Sequence, residues 1–365
     1  MTEPSAAEPE VCLVTGLPSL AATKLVERIL AEEPETEIVI LVLDRLLPRA
    51  AAWMDGLGRE DRDRIEVLTG DVAAIDLGLS GAEYLALASR VTRVHNLAAV
   101  RFVGADDEEA EATNVGGARE MVELGRAASR LRCIVHHSTA HVSGDRSGLV
   151  YEAELDEGQH FHSPIQRTHF LAEKVLRRAM PEVPIAVVRP TMVAGDSVTG
   201  EVERLDGPYL LALLVLGIPE GLDVRLPKLG PTPLDVVPVD YVVAAAHAIG
   251  LDRGAPGTTF HLTSGEDTTA RQLLDLIAQA SGRRVSETTA IPRPVVSAIA
   301  RTPGVQRLLS EPAALLRHLA TPARYDTKNA RRVLEPLGIV CPPVASYVGM
   351  WVKAAQARLE QNRRQ

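Results

Sequence analysis

Short apolar runs recur along the first half of the chain, and helix-period patterns fill the gaps between them. Residues 11–14 form the first run. Thr15-Gly16 breaks it, and a helical pattern then continues to about Leu30. Residues 38–43 (IVILVL), 65–68, 93–97, 133–136 and 185–188 are further runs at similar intervals. Continuous apolar strands separated by helices predict a parallel sheet covered on both faces. Right-handed crossovers make it a doubly wound α/β sheet of the Rossmann type.

The pattern changes after Pro190. Residues 200–208 are polar and turn-rich, and 209–216 read as an apolar helix. Residues 227–238 hold four prolines and predict a loop over the sheet edge. Residues 241–249 (YVVAAAHAI) read as a helix returning to the sheet, 259–262 as a strand and 269–280 as a helix. From Pro292 the tail reads as helical segments separated by prolines. The predicted organisation is a flexible N-terminus over 1–10 and a nucleotide-binding domain over 11–200, with 236–265 returning to its sheet. A smaller, mainly helical substrate lobe comprises 201–235 and 266–365.

Composition narrows the function classes. The 365 residues are 46% hydrophobic, ample for a large core. A formal net charge of −9 argues against a nucleic-acid surface. No run of 18 apolar residues predicts a membrane span. The opening MTEPSAAEPE is too acidic and polar for a secretory signal, so a cytoplasmic location is expected. Cys12, Cys133 and Cys341 are scattered and odd in number, as expected of reduced thiols rather than a disulfide frame or metal set.

The turn after the first run reads Thr15-Gly16-Leu17-Pro18-Ser19-Leu20-Ala21-Ala22. A dinucleotide turn needs glycine three times here, for the tight bend, the close approach of the pyrophosphate and helix–strand packing. Only Gly16 is present; Ser19 and Ala22 hold the other places. Ser19 adds bulk where phosphate would sit. Asp44, at the end of the second strand, is the type of residue that binds a ribose hydroxyl. The same residue is also common as an ordinary turn former.

Later segments are more specific. They are GDV at 70–72, DLGLSGAEY at 76–84, HNLAAVRF at 95–102 and TNVGGARE at 113–120. HHSTAHVSG at 136–144, ELDEGQ at 154–159 and SPIQRTHFLAEKVLR at 163–177 follow. VRPTMVAGDSVTGEV at 188–202, DGPY at 206–209 and VPVDYV at 237–242 complete the series. In this order, over residues 11–345, the chain resembles the extended short-chain dehydrogenase/reductases. The branch it is most similar to is that of fatty acyl-CoA reductases and thioester-reductase-like proteins. The resemblance implies an NADP or NAD site and reduction of acyl thioesters, aldehydes or ketones by a Ser/Thr, a Tyr and a Lys.

Carried over position by position, Asp71 matches the acid beside the adenine, and Ala98-Ala99 the backbone strip beside the cofactor. Asn114 matches the Asn of the active-site helix, and Thr139 the hydroxyl that polarises the substrate carbonyl. The Tyr-x-x-x-Lys pair departs from the pattern. One alignment puts Phe170 and Lys174 there. The other puts Ile165 and His169 there, fits the Ala172-Glu173 anchor without a gap, and keeps the usual spacing from Thr139. The second is the better fit. Carbonyl reduction needs a proton donor beside the forming alkoxide, and Ile165 has no proton to give.

Imidazoles have accumulated instead. His137 and His141 flank Thr139, His169 takes the lysine's place, and His160 and His162 precede the helix. Histidine suits acid/base work near neutral pH. Thr139 and His169 are read as a hydroxyl–imidazole pair. Alternation would put His137, Thr139 and His141 on one side if the strand stays extended. A metal centre lacks a carboxylate at a ligand spacing. A decayed active site explains the same residues.

In the resembling reductases the C-terminal lobe shapes an acyl tunnel. Residues 292–319 are expected to line an apolar pocket, pack on a second subunit in a homodimer, or touch a membrane surface. Arg293, Arg301, Arg307 and Arg317 are compatible with a phosphopantetheine or CoA phosphate, though plain lobe packing with solvated arginines is the favoured reading. Three functions stay open. The first is non-redox acid/base chemistry on an acyl or polyketide-like small molecule, possibly CoA- or carrier-protein-linked. The second is a silent scaffold, and the third an NAD(P)H-dependent reductase.

Overall fold

The computed structural model describes residues 9–101, 106–205, 207–216, 224–227, 233–288 and 323–364. Residues 1–8 of the expected flexible N-terminus, Phe102, Asp206, residues 228–232 of the proline-rich loop and the 292–319 segment with its four arginines lie outside them.

In chain order the strands are β1 (Val11–Thr15), β2 (Glu37–Val42), β3 (Ile65–Thr69), β4 (Arg93–Asn96), β5 (Cys133–His137), β6 (Gly148–Val150), β7 (Ile185–Pro190), β8 (Met192–Ala194), β9 (Val224–Pro227), β10 (Val236–Pro238), β11 (Thr259–Leu262), β12 (Val285–Thr288) and β13 (Ala323–Tyr325). The helices are α1 (Leu20–Glu32), α2 (Leu47–Met54), α3 (Arg59–Asp63), α4 (Gly81–Arg90), α5 (Asp107–Glu111), α6 (Gly117–Ala127), α7 (Pro164–Ala179), α8 (Tyr209–Leu216), α9 (Val239–Leu251) and α10 (Ala270–Ala280). Helices Lys328–Leu334 and Val344–Arg364 follow.

The chain divides into two compact units. The first comprises residues 1–138, 167–189 and 243–260; the second comprises 139–166, 190–242 and 261–365. The first is organised by a seven-stranded sheet in the order β11-β7-β5-β4-β1-β2-β3. β1 pairs in parallel with both β2 and β4, so the strand order reverses at that point. In an open α/β sheet this is where ligands bind, beyond the carboxyl ends of the strands. Every residue of β1, β4, β5 and β7 is buried, the polar Arg93, His95, Asn96, His136, His137 and Arg189 included, as expected of a parallel sheet covered on both faces. One face of the sheet packs Leu13, Val39, Val94, Ile134 and Val187 against Leu87, Met121 and Leu176 of α4, α6 and α7. Ser80 and Glu83 close a capping box at the start of α4.

The second unit has its own core. Tyr209 and Leu213 of α8, Leu273 and Ile277 of α10, and Tyr347 and Trp351 of the last helix form one cluster. Tyr347 and Trp351 meet edge to face, with centroids 5.5 Å apart. Burying a side chain of such size contributes about 3 kcal/mol. The Tyr347 hydroxyl donates to the Val236 carbonyl at 3.2 Å, so its polar end is also satisfied. The buried Glu152 carboxylate accepts the backbone N–H groups of His261, Asn329 and Ala330. It thereby ties the C-terminal Lys328–Leu334 helix to His261. Short parallel pairs β8–β10, β9–β12 and β6–β13 complete the unit. The tail is therefore not wholly helical: β13 precedes the last two helices. Among the described residues no helix is long and apolar enough to cross a membrane.

Candidate active site

The turn after β1 is built around Gly16. Its φ is +89°, and a Cβ there would lie 2.7 Å from the Leu97 carbonyl carbon and 2.8 Å from the Ala98 nitrogen. Only glycine tolerates that conformation and approach. Ser19 proves to be the N-cap of α1: its hydroxyl accepts from the Ala22 N–H at 3.4 Å, and its own N–H donates to the Gly16 carbonyl at 3.0 Å. The first turn of α1 holds no acid. A helix start without a negative charge in its first turn is compatible with a phosphate. Asp44 is exposed and opens a short 3-10 turn after β2. Asp71 is half-buried, and its Oδ1 accepts from the Ala73 N–H at 2.9 Å.

A polar chain crosses the carboxyl ends of three neighbouring strands in the first unit. The Ala98 N–H donates to Thr15 Oγ1 at 3.1 Å, and that hydroxyl donates to Asn96 Oδ1 at 2.7 Å. The Asn96 amide then donates to His136 Nδ1 at 3.2 Å. This places the ring proton of neutral His136 on Nε2. Burial pulls the His136 pKa down to about 4, against the pull of the Glu173 charge. Ala98 and Ala99, the strip beside the expected cofactor, are half-buried.

Asn114 sits in a π-helical turn, Ala112–Gly116, between α5 and α6. Such turns often mark functional positions. Its Oδ1 accepts from the Val100 N–H at 2.8 Å. Both amide hydrogens are used, on the Val100 carbonyl at 3.2 Å and the Thr168 hydroxyl at 2.9 Å. Asn114 is thus a clamp between the segment after β4 and α7.

Thr168, His169, Ala172, Glu173 and Leu176 are fully buried and form the core-facing stripe of α7. His169, at 1% exposure, lies on it, directly after Thr168. Lys174 is half-buried, with its ammonium 5.3 Å from the centre of the Phe170 ring. Ile165 is half-buried near the helix start. One turn beyond His169 lies a buried ion pair that no sequence motif announces. Glu173 receives Arg189 Nη2 at 2.6 Å and the Ser138 hydroxyl at 2.6 Å. Burial would raise the Glu173 pKa; the Arg189 charge, the hydrogen bonds of Arg189 and Ser138 and the Arg177 charge together outweigh it and hold the carboxyl below its ordinary range. In the sequence Glu173 stands only as the anchor of an Ala-Glu pair, and partners 16 and 35 residues away leave no local signal.

In the second unit, Thr139 caps a one-turn 3-10 helix, Ala140–Ser143. Its Oγ1 accepts from the His141 N–H at 3.2 Å. The extended strand needed to align His137, Thr139 and His141 is therefore absent: β5 ends at His137 and His141 lies in the turn. Ser143 hydrogen-bonds the Tyr325 hydroxyl at 3.0 Å. His160 and His162 are exposed, and their backbone N–H groups are held by Asp145 and Gln166.

His137 belongs to the first unit and is buried 5.9 Å from His95, ring centre to ring centre. Neither ring nitrogen of His95 finds a hydrogen-bond partner among the described residues. Burial pulls the pKa of both rings far down. The Arg93 charge adds to this at His95, and the Arg101 charge at His137. On the same side Arg93 meets Glu33 at 2.6 Å, and His247 of α9 meets Glu33 at 2.7 Å. Burial alone would raise Glu33, but the hydrogen bonds of His247 and Arg93 hold it at about 2. No group of three or more metal-ligating side chains is found among the described residues. All three cysteines are buried, and desolvation lifts the Cys133 thiol to about 12.

Residues 14–246 match the NAD-binding family described as Male sterility protein. The chain belongs to this family. It is similar to a linear gramicidin synthase of Brevibacillus parabrevis, 25% identical over 320 residues, which is 82% of this chain and 6% of that protein. It is also similar to the fatty acyl-CoA reductase wat of Drosophila melanogaster, 28% identical over 234 residues, 55% of this chain and 44% of that one. The chain thus spans less than half the length of either relative. Among solved structures, the terminal R domain from the myxalamid PKS-NRPS biosynthetic pathway superposes with a TM-score of 0.79. That match has 21% identity and covers 97% of this chain and 92% of that one. The likeness is one of fold.

Proposed function

We propose that this family member performs non-redox acid/base chemistry on an acyl-type small molecule, presented as a CoA or carrier-protein thioester. One observation carries the reading. The stripe of α7 that should bear the proton donor and its lysine offers Ile165 and a buried His169 instead. His169 is the proposed acid/base, and Thr139 the hydroxyl that polarises the carbonyl. Its hydroxyl accepts one backbone N–H, which leaves its hydrogen to donate. His141 follows it in the same turn. Asn114 acts by holding α7 through Thr168 rather than by touching substrate. The lobe of residues 201–235 and 266–365 is proposed to take the acyl portion.

The fit to a nicotinamide dinucleotide is partial. Gly16 and the start of α1 suit a pyrophosphate, Ser19 crowds it, and the resemblance assigns Asp44, Asp71, Ala98 and Ala99 to the rest of the cofactor. The hydride-transfer half does not fit. No tyrosine hydroxyl donates at position 165, and no ammonium grips the ribose from 169. The names of the relatives favour a second reading, an NADPH-dependent acyl reductase with a substitute proton donor.

Native mass spectrometry of the purified protein separates the two. A co-purifying acyl compound without nucleotide, and no NADPH consumption with acyl-CoA, supports the first. Bound nucleotide with NADPH consumption establishes the second.

A further inference from the structure

We infer that Glu173 is a positioning residue, which fixes His169 relative to the carboxyl end of β5 through a buried three-residue lock with Ser138 and Arg189. The inference rests on the proposed role of His169.

The lock is dry. Glu173 is 0% exposed, Arg189 1% and Ser138 2%. Glu173 Oε1 accepts the Ser138 hydroxyl at 2.6 Å and Arg189 Nε at 2.9 Å. Its Oε2 accepts Arg189 Nη2 at 2.6 Å and Nε at 3.1 Å. One carboxylate therefore joins three elements, α7, the end of β5 and the end of β7. Glu173 lies four residues after His169, one helical turn along the same buried stripe. Thr139 follows Ser138 directly in the chain.

Stability does not account for such a pair. Desolvating two charges costs about as much as their attraction returns, and well-packed apolar residues often do as well or better. What an ion pair adds over apolar packing is direction. A carboxylate receiving a forked guanidinium and a hydroxyl accepts only one rotation and one height of the helix. Apolar contacts on α7 would tolerate a small slide or roll. A slide too small to unfold the domain is enough to misplace an imidazole. The Asn114–Thr168 bond holds the helix beside His169 on the other side, so the ring sits between two fixed points.

The test observes the His169 ring itself and needs no substrate. Protein labelled with ¹³C-histidine gives a Cε1–H cross-peak for each ring, and His169→Gln assigns the one in question. The lock is replaced by apolar residues of similar volume, Ser138→Ala, Glu173→Leu and Arg189→Met together. The expected result is an equal or higher melting temperature, with the His169 cross-peak moved by more than its line width or split. An unmoved, single cross-peak in a folded triple variant overturns the inference.

If the triple variant does not fold, Ser138→Ala decides, because it leaves the ion pair intact. The cross-peak should move, and Ser138→Thr, which restores a hydroxyl, should return it. No movement in Ser138→Ala overturns the lock. Turnover in His169→Ala tests the role of His169 separately, so the two failures are distinguishable.

Discussion

Asn114 donates its side-chain amide to the Thr168 hydroxyl at 2.9 Å, with both residues fully buried. The bond spans 54 residues of sequence and ties the π-helical turn before α6 to the helix that carries His169. Asn114→Ala leaves the Val100 amide and carbonyl buried without their partner. It is expected to cost about 1–3 kcal/mol. Thr168→Val removes the acceptor of this bond and should cost about 1–3 kcal/mol. Urea denaturation of both single variants and the double variant checks this. If the bond is real, the double variant loses less than the sum of the two.

Acid should destabilise the protein through its buried imidazoles. His95, His136 and His137 are held below the ordinary histidine value of 6.5, His136 at about 4. In each case the folded form disfavours the proton and the unfolded chain accepts it. Stability is therefore fully present above pH 6.5 and is lost as pH falls towards the folded values. Each ring contributes a loss of up to about 2 kcal/mol between pH 7 and pH 5. His95→Gln, which cannot titrate, should flatten the dependence. A parallel fall in wild type and variant across that range, followed by denaturant midpoints, would remove His95 from the account.

Gly16→Ala tests the turn. The added Cβ meets the Leu97–Ala98 backbone rather than a flexible side chain, at a φ that L-residues rarely adopt. The expected loss is about 1–3 kcal/mol, read as a lower melting temperature. Ser19→Ala, by contrast, removes only an N-cap and should cost about 1 kcal/mol. Ser19→Gly should cost only a few tenths of that.

The architecture is legible in the sequence because β1, β2, β4, β5 and β7 are continuous buried runs at regular spacing. β6, β8, β10 and β13 are not, since three residues carry no periodicity. Ser19 reads in the sequence as bulk beside a phosphate, whereas its cap on Ala22 fixes the start of α1. The polar chain from Thr15 through Asn96 to His136 leaves no trace in the sequence because strand order makes these residues neighbours. The position of His141 departs from strand alternation for a local reason: Thr139 turns the chain into a 3-10 helix by capping it.

Nucleotide binding should be weak. A helix start supplies backbone donors to a pyrophosphate, but Ser19 brings a Cβ and a hydroxyl to the place where close approach calls for glycine. On the proposed alignment, His169 also stands where a ribose-gripping ammonium would be. Titration calorimetry with NADP and with NAD should give dissociation constants weaker than micromolar. A micromolar or tighter value for either would show that the turn outweighs both losses, and would favour the reductase reading.

The decisive residue is His169. On the proposed alignment it stands at the place of the reductases' lysine, with a shorter side chain. Imidazole is a side chain suited to proton transfer, whereas a lysine there would serve a cofactor. His169 follows Thr168, which Asn114 holds, and precedes Glu173, which Ser138 and Arg189 hold. Replacing it should therefore change chemistry more than folding. With the acyl ligand identified by native mass spectrometry as substrate, His169→Ala should lower turnover by about 10²–10⁴-fold, the usual effect of removing a general acid/base. Thr139→Val should lower it less, because a polarising hydroxyl contributes one hydrogen bond. Circular dichroism and the melting temperature of His169→Ala should stay close to wild type, or the loss is one of fold. Near-normal turnover in folded His169→Ala would remove the acid/base assignment. It would move the acid/base role to another residue, since a protein that still turns over substrate is not a silent scaffold.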